Sequence, residues 1–337
     1  MVSQELIANF AGKENMCRSH IQMIVLCSVL HLLVDGLCVC CLYLMASLLS
    51  VPHLVGVFLT YNLLAFLTQP LMGLWADKME RKHWMLLVSV VLLTMAVLST
   101  SIVINLGFST WGAVVVAVLL GMGNSLFHVW GGKQVVVKTG NDIRALGTFV
   151  STGAFGLAIG MVFFSWSLLY VILLSVCFLS TAYMHLDLRT NAAIAVDKAV
   201  DYHFSKLFVA LSLVVLMLVV MLRSLVGESF TGGLSKNSGF ILLIGLLSML
   251  GKMAGGWLAR SLGIVRMLVL VVLLTILCWV FRSQGMMIIL IGLFAVNCTM
   301  PVTLYLANVV LPQREGLAFG LLAAALIPGY LLAVFSL

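Results

Sequence analysis

Charge is what this sequence has least of. Lys, Arg, Asp and Glu make up 9% of the 337 residues, and only 11 residues are acidic, while 63% are hydrophobic. Soluble domains carry roughly 45–50% apolar and about 25% charged residues. A water-soluble globule is therefore excluded, and the solvent for most of the chain must be lipid. Whole stretches lack charge altogether: residues 51–74 hold none, nor do residues 84–107. Each is long enough to cross a bilayer, which takes about 20 apolar residues.

Other absences narrow the function. Seven of the eight Cys lie inside apolar runs (Cys27, Cys38, Cys40, Cys41, Cys177, Cys278 and Cys298), where thiols act as small buried hydrophobes. No Cys/His pair at ligand spacing sits in a loop, so neither a disulfide framework nor a zinc site is expected. There is no phosphate-cradling loop, no nucleophile–base pair and no His/Asp cluster at metal-ligand spacing. The chain is not read as an enzyme, and no catalytic residue, metal or cofactor is expected. The net charge of +7 does not point to nucleic acid, because Lys and Arg are spread over alternate loops rather than gathered in one patch.

What charge there is falls in a pattern. Gly73-Leu-Trp-Ala-Asp77-Lys78-Met-Glu80-Arg81-Lys82-His83 is a dense charged loop pinned between two uncharged runs. Its basic excess places it on the cytoplasmic side, where Lys and Arg accumulate in short loops. From that anchor eleven spans are legible: 21–47, 51–74, 84–106, 112–132, 145–165, 170–184, 206–227, 239–258, 265–281, 286–311 and 315–337. Fourteen of the eighteen Lys and Arg then fall in inner segments and two in outer loops. The expected organisation is a cytoplasmic tail (1–20), a first helical bundle (21–185), a cytoplasmic linker (186–205) and a second bundle (206–337). The N-terminus is cytoplasmic, since Met1 to His20 is mixed and polar with no signal pattern. The fold class is all-α and polytopic, in a cell (cytoplasmic) membrane.

A weak repeat relates the halves. Gly256-Trp-Leu-Ala-Arg260 echoes Gly73-Leu-Trp-Ala-Asp77, and Arg314-Glu-Gly316 echoes Arg144-Ala-Leu-Gly147. Two similar bundles are the construction of a rocking transporter.

Ionisable residues deep in a span cost several kcal/mol or a shifted pKa, so they normally face a cavity and have partners. His31 and Asp35 are four apart, on one helix face near mid-depth. A carboxylate beside an imidazole in low dielectric can handle a proton, or it can be a structural pair holding spans together. His128 lies near mid-depth in a Gly-rich span, as a proton or substrate group or as a packing residue. Lys133 and Lys252 read as snorkelling cations, Lys133 with a substrate contact as the alternative. Arg223, in the outer half of the seventh span, either pairs with Glu228 or counters an anionic substrate. Gly153-x-x-Gly156-x-x-x-Gly160 has the small-residue spacing of close helix contact.

The loop Gly73-x-x-x-Asp77-Lys78-x-x-Arg81-Lys82 resembles the signature between spans two and three of the major facilitator superfamily, with Glu80 where Gly is usual. The resemblance implies that Asp77 caps a neighbouring helix and pairs with basic residues, latching the bundles in one state. His31-Leu-Leu-Val-Asp35, Gly121-Met-Gly-Asn124-Ser-Leu-Phe-His128 and the run from Pro301 to Leu321 are similar to the fosmidomycin-resistance-like branch, with Val34 in place of Asn. That implies a monomeric two-bundle fold, with eleven spans visible and a twelfth missing. It also implies a secondary transporter moving a small organic solute or drug by alternating access, coupled to protons. Its site candidates are His31, Asp35, Asn124, His128 and Arg223. The glycine stripe resembles that of drug/proton antiporters, which implies efflux, but Met161 stands where Pro is expected, and import stays open beside export. A non-transporting receptor or assembly protein is the alternative, and an intramembrane enzyme a more distant one.

Overall fold

The computed structural model describes residues 2–79, 83–105, 110–190, 204–232 and 237–336. Among them every regular element is helical. The helices are α1 (Val2–Ala46), α2 (Val51–Asn62), α3 (Gln69–Lys78), α4 (Trp84–Asn105), α5 (Thr110–Thr139), α6 (Ile143–Val162) and α7 (Trp166–Thr190), then α8 (Lys206–Thr231), α9 (Ser238–Leu262), α10 (Ile264–Val280), α11 (Met286–Cys298), α12 (Met300–Val310), α13 (Glu315–Ala324) and α14 (Leu326–Ser336). Ten segments are long and apolar enough to cross a membrane. At the place of the expected ninth span stands α10, with 17 residues. At 1.5 Å per residue it is about 25 Å long, just short of the hydrocarbon thickness. Large apolar side chains such as Leu174, Phe178, Val265 and Leu273 point outward, as lipid-facing residues do.

Three spans are broken, and a proline explains each break. Pro70 cannot donate to Phe66, and the helix widens into a π turn over Leu63–Leu67 before α3 begins. Pro301 likewise leaves Asn297 without its donor, where α11 gives way to α12. Pro328 does the same to Ala324, where α13 gives way to α14. The remaining two prolines mark helix ends, Pro52 in the first turn of α2 and Pro312 just past α12. Polar groups cover the freed backbone of the first break: Gln69 Nε2 donates to the Ala65 carbonyl at 2.7 Å and Thr68 Oγ1 to that of Leu64 at 2.6 Å.

Helices α1–α7 pack as one group and α8–α14 as another, joined through α6 against α9 and α3 against α13. Within the first group α6 lies directly on α1. A Cβ added at Gly156 would overlap the Leu32 carbonyl, and one at Gly160 the Gly36 carbonyl. These two glycines therefore let the helix backbones touch, as their spacing suggests. Gly153 differs, because it lies beneath the side chains of His31 and Asp35.

The sequence repeat becomes a pair of matching contacts between the groups. Gly73 in the middle of α3 meets the backbone of Gly316 at the start of α13. Correspondingly, Gly256 near the end of α9 meets Ile143 and Arg144 at the start of α6. Each half thus supplies one helix start to the seam.

Candidate functional site

Helices α1 and α5 bring four sequence-predicted residues together. Asn124 Nδ2 donates to Asp35 Oδ1 at 3.0 Å. His31 Nε2 lies 3.4 Å from Asp35 Oδ2, and His128 Nε2 lies 3.5 Å from Asp35 Oδ1. On the far side of each ring, His31 Nδ1 donates to the Phe149 carbonyl of α6 at 2.8 Å and His128 Nδ1 to the Asn124 carbonyl at 2.9 Å. The two imidazoles stand edge to face, 4.6 Å between centroids. All four residues are buried, none more than 9% exposed. A carboxylate in such a place needs partners to offset its lost hydration, and these are they.

The tautomers follow from the geometry. A carbonyl oxygen only accepts, so both rings carry hydrogen on Nδ1. Each Nε2 then faces the carboxylate with a bare lone pair unless a proton sits on that nitrogen or on Asp35. The cluster can therefore hold an exchangeable proton shared among three groups. The sequence gives no His/Asp spacing of this kind because two of the three groups are supplied by α1 and the third by α5, 93 residues later; the chain contacts, not the spacing, create the cluster.

These residues form one wall of a cavity of about 450 Å³ between the two helix groups. The other group contributes Arg223, Glu228 and Lys252, and the rest of the lining is largely apolar, including Phe58, Phe66, Met300 and Phe319. All three proline breaks reach this lining, through Phe66, Met300 and Leu326. Arg223 does not pair with Glu228, whose carboxylate instead accepts from Thr231 Oγ1 at 3.4 Å. Buried Arg223 Nε has no hydrogen-bond partner. Lys252, read from the sequence as snorkelling toward the surface, lines the cavity instead. Among the described residues neither cation forms an ion pair.

At the end of α3 that leads into the charged loop, Asp77 caps a helix of the other group. Its Oδ1 accepts from Gly316 N and its Oδ2 from Leu317 N, both at 2.9 Å. The start of α13 has no side-chain cap of its own, so Asp77 satisfies donors that would otherwise be orphaned. The partnering cation is Lys133, whose Nζ lies 3.1 Å from Asp77 Oδ1 and donates to the Ala76 carbonyl at 2.8 Å. Lys78 is exposed and makes no ion pair among the described residues, while Arg81 and Lys82 lie outside them. The matching corner of the seam works differently. There α6 is capped by its own Asp142, which accepts from Arg144 N at 2.9 Å, so no acidic residue is needed where Arg260 stands. Partial burial would raise the Asp142 carboxyl, but hydrogen bonds from Arg144 and the charges of Arg144 and Arg260 hold it below the ordinary carboxylate value.

One ionic cluster escaped sequence reasoning. Asp187, grouped there with the polar linker, is fully buried, with Lys138 Nζ at 2.6 Å and His83 Nε2 at 3.1 Å. An acidic residue that continues a helix past an apolar run was the only signal available.

No protein-family profile matches the chain, and no curated protein matches it by sequence. Solved structures do. The E. coli fucose:proton symporter superposes with a TM-score of 0.63 at 13% identity, over 94% of this chain and 90% of the symporter. The nucleoside transporter NupG gives 0.54 at 12% identity, over 94% and 91%. A bacterial homologue of the iron transporter ferroportin, in its outward-facing state, gives 0.57 at 15%, over 93% and 90%. The chain has the two-bundle helical fold of the major facilitator transporters.

Proposed function

We propose that this protein is a proton-coupled secondary transporter that moves a small organic anion across a cell membrane by alternating access. The observation that carries the reading is the cavity's division of labour. One wall holds a buried carboxylate contacted by two imidazoles, and the other holds Arg223 and Lys252, neither of which forms an ion pair among the described residues. Arg223 is half-buried with its Nε unsatisfied, and an anionic group on the solute would satisfy it. The apolar lining suits the body of an organic molecule.

The basic excess of the Asp77 loop assigns that end to the cytoplasm, with the N-terminus on the same side. The Asp77–Gly316 contact then closes the cytoplasmic end in this conformation. Both walls come from one chain, so a monomer suffices. The His31–Asp35 and Asn124–His128 elements support a place in the fosmidomycin-resistance-like branch, and with it export of the solute.

The reading is tested in proteoliposomes holding a pH gradient, with a panel of radiolabelled carboxylates, phosphate esters and neutral analogues. Gradient-dependent movement of anions is expected, with KM raised at least about tenfold in Arg223→Gln and Lys252→Met, since hydrogen bonds to charged groups contribute about 1.5–3 kcal/mol. Equal movement of neutral analogues, or unchanged KM in both variants, would contradict it.

A further inference from the structure

The same three side chains have a second chemical capacity, one that stands on geometry alone. One ring nitrogen from each of His31 and His128 and a carboxylate oxygen of Asp35 lie within 4.8 Å of one another. Both rings are oriented by hydrogen bonds from Nδ1 to backbone carbonyls, an arrangement that fixes the tautomer of a metal-ligating histidine. The carboxylate is itself oriented by Asn124. Two ligands about 2.1 Å from one ion, at roughly tetrahedral to octahedral angles, are separated by about 3.0–3.4 Å. The His31 Nε2–Asp35 Oδ2 separation of 3.4 Å and the His128 Nε2–Asp35 Oδ1 separation of 3.5 Å, one imidazole to each carboxylate oxygen, are close to that.

We propose that His31, Asp35 and His128 form a binding site for a divalent transition-metal ion of the zinc or cobalt class. Two imidazoles and one carboxylate suit such ions, whereas magnesium and calcium ask for six or more oxygen ligands. All three groups line the cavity, so the remaining coordination positions face it and are open to water or to an anionic group of a solute. Gly153 keeps space free beside the ligands, because a Cβ there would overlap Asp35 Oδ2 and His31 Nε2. Sequence reading expected no metal site, and the pair from α1 becomes a triad only through packing against α5.

The test uses the purified full chain in detergent, with Co²⁺ and Zn²⁺ as probes. Titration with Co²⁺ should give one saturable site per chain, with visible d–d absorption characteristic of nitrogen and oxygen ligation, and Zn²⁺ should displace it. His31→Ala, His128→Ala and Asp35→Asn should each weaken binding at least about tenfold. Gly153→Ala should also weaken it, while His53→Ala, at an exposed position beside Ser50, should not. The Co²⁺ spectrum of the unmutated chain does not depend on any variant folding. Absence of a saturable Co²⁺ signal would overturn the proposal, as would full binding in the His31→Ala/His128→Ala double variant. Failure here leaves the transport reading intact, because pH-gradient-driven solute movement is measured without added metal.

Discussion

Asp77 and Gly316 are 239 residues apart in sequence, yet a carboxylate oxygen of the first accepts the backbone N–H of the second at 2.9 Å. That bond and its neighbour to Leu317 join a helix end in one bundle to a helix start in the other. Gly73 and Gly316 permit the approach, since either added Cβ would overlap the facing backbone.

The latch gives the first prediction. Asp77→Asn keeps an acceptor but loses the charge, leaving Lys133 without its ionic partner and one backbone donor less well satisfied. A loss of about 1–2 kcal/mol from the closed state is expected, roughly a tenfold shift toward opening. Paired spin labels at Lys78 and Arg314, both exposed, should show a longer distance gaining population. An unchanged distance distribution would count against the latch.

The contribution of Asp142 to stability depends on pH in a direction that can be worked out. Its carboxyl is held below the ordinary value in the folded protein, so its stabilisation is fully present above the ordinary carboxylate pKa of about 3.9 and fades as pH falls through the lowered value. The melting-temperature difference between the unmutated chain and Asp142→Asn should be constant from pH 8 to pH 5 and shrink below about pH 4. A difference that changes between pH 8 and pH 6 would show another group to be responsible.

The buried Lys138–Asp187–His83 cluster predicts a rescue. Asp187→Leu strands the Lys138 ammonium and should cost about 3–5 kcal/mol, whereas adding Lys138→Met should recover most of it, because an apolar pair needs no compensation. Thermal melting of single and double variants decides this; a double variant as unstable as the single would contradict it.

How much of this was legible in the sequence follows from which forces act locally. The spans could be read because a run such as residues 84–105 carries its lipid preference in its own composition. The pairing of His31 with Asp35 was readable because four residues make one helical turn. The contact of Asp35 with His128 was not, since it depends on how α1 packs on α5. Lys133 was misread for the same reason: its depth suggested snorkelling, but the carboxylate it meets belongs to α3. Asp187 read as linker because a polar residue after an apolar run normally marks a helix's exit from the membrane, whereas Lys138 on α5 and His83 beside α4 hold it inside.

The most direct test of the account concerns Asp35, the only carboxylate the two imidazoles share. Vesicles carrying the unmutated chain should accumulate the transported anion against its gradient when a pH gradient is imposed. In the same vesicles, Asp35→Asn should abolish that accumulation while leaving counterflow exchange of labelled for unlabelled solute, because exchange needs binding and reorientation but no proton. Accumulation by Asp35→Asn at the unmutated rate would contradict the claim that this cluster couples proton movement to transport.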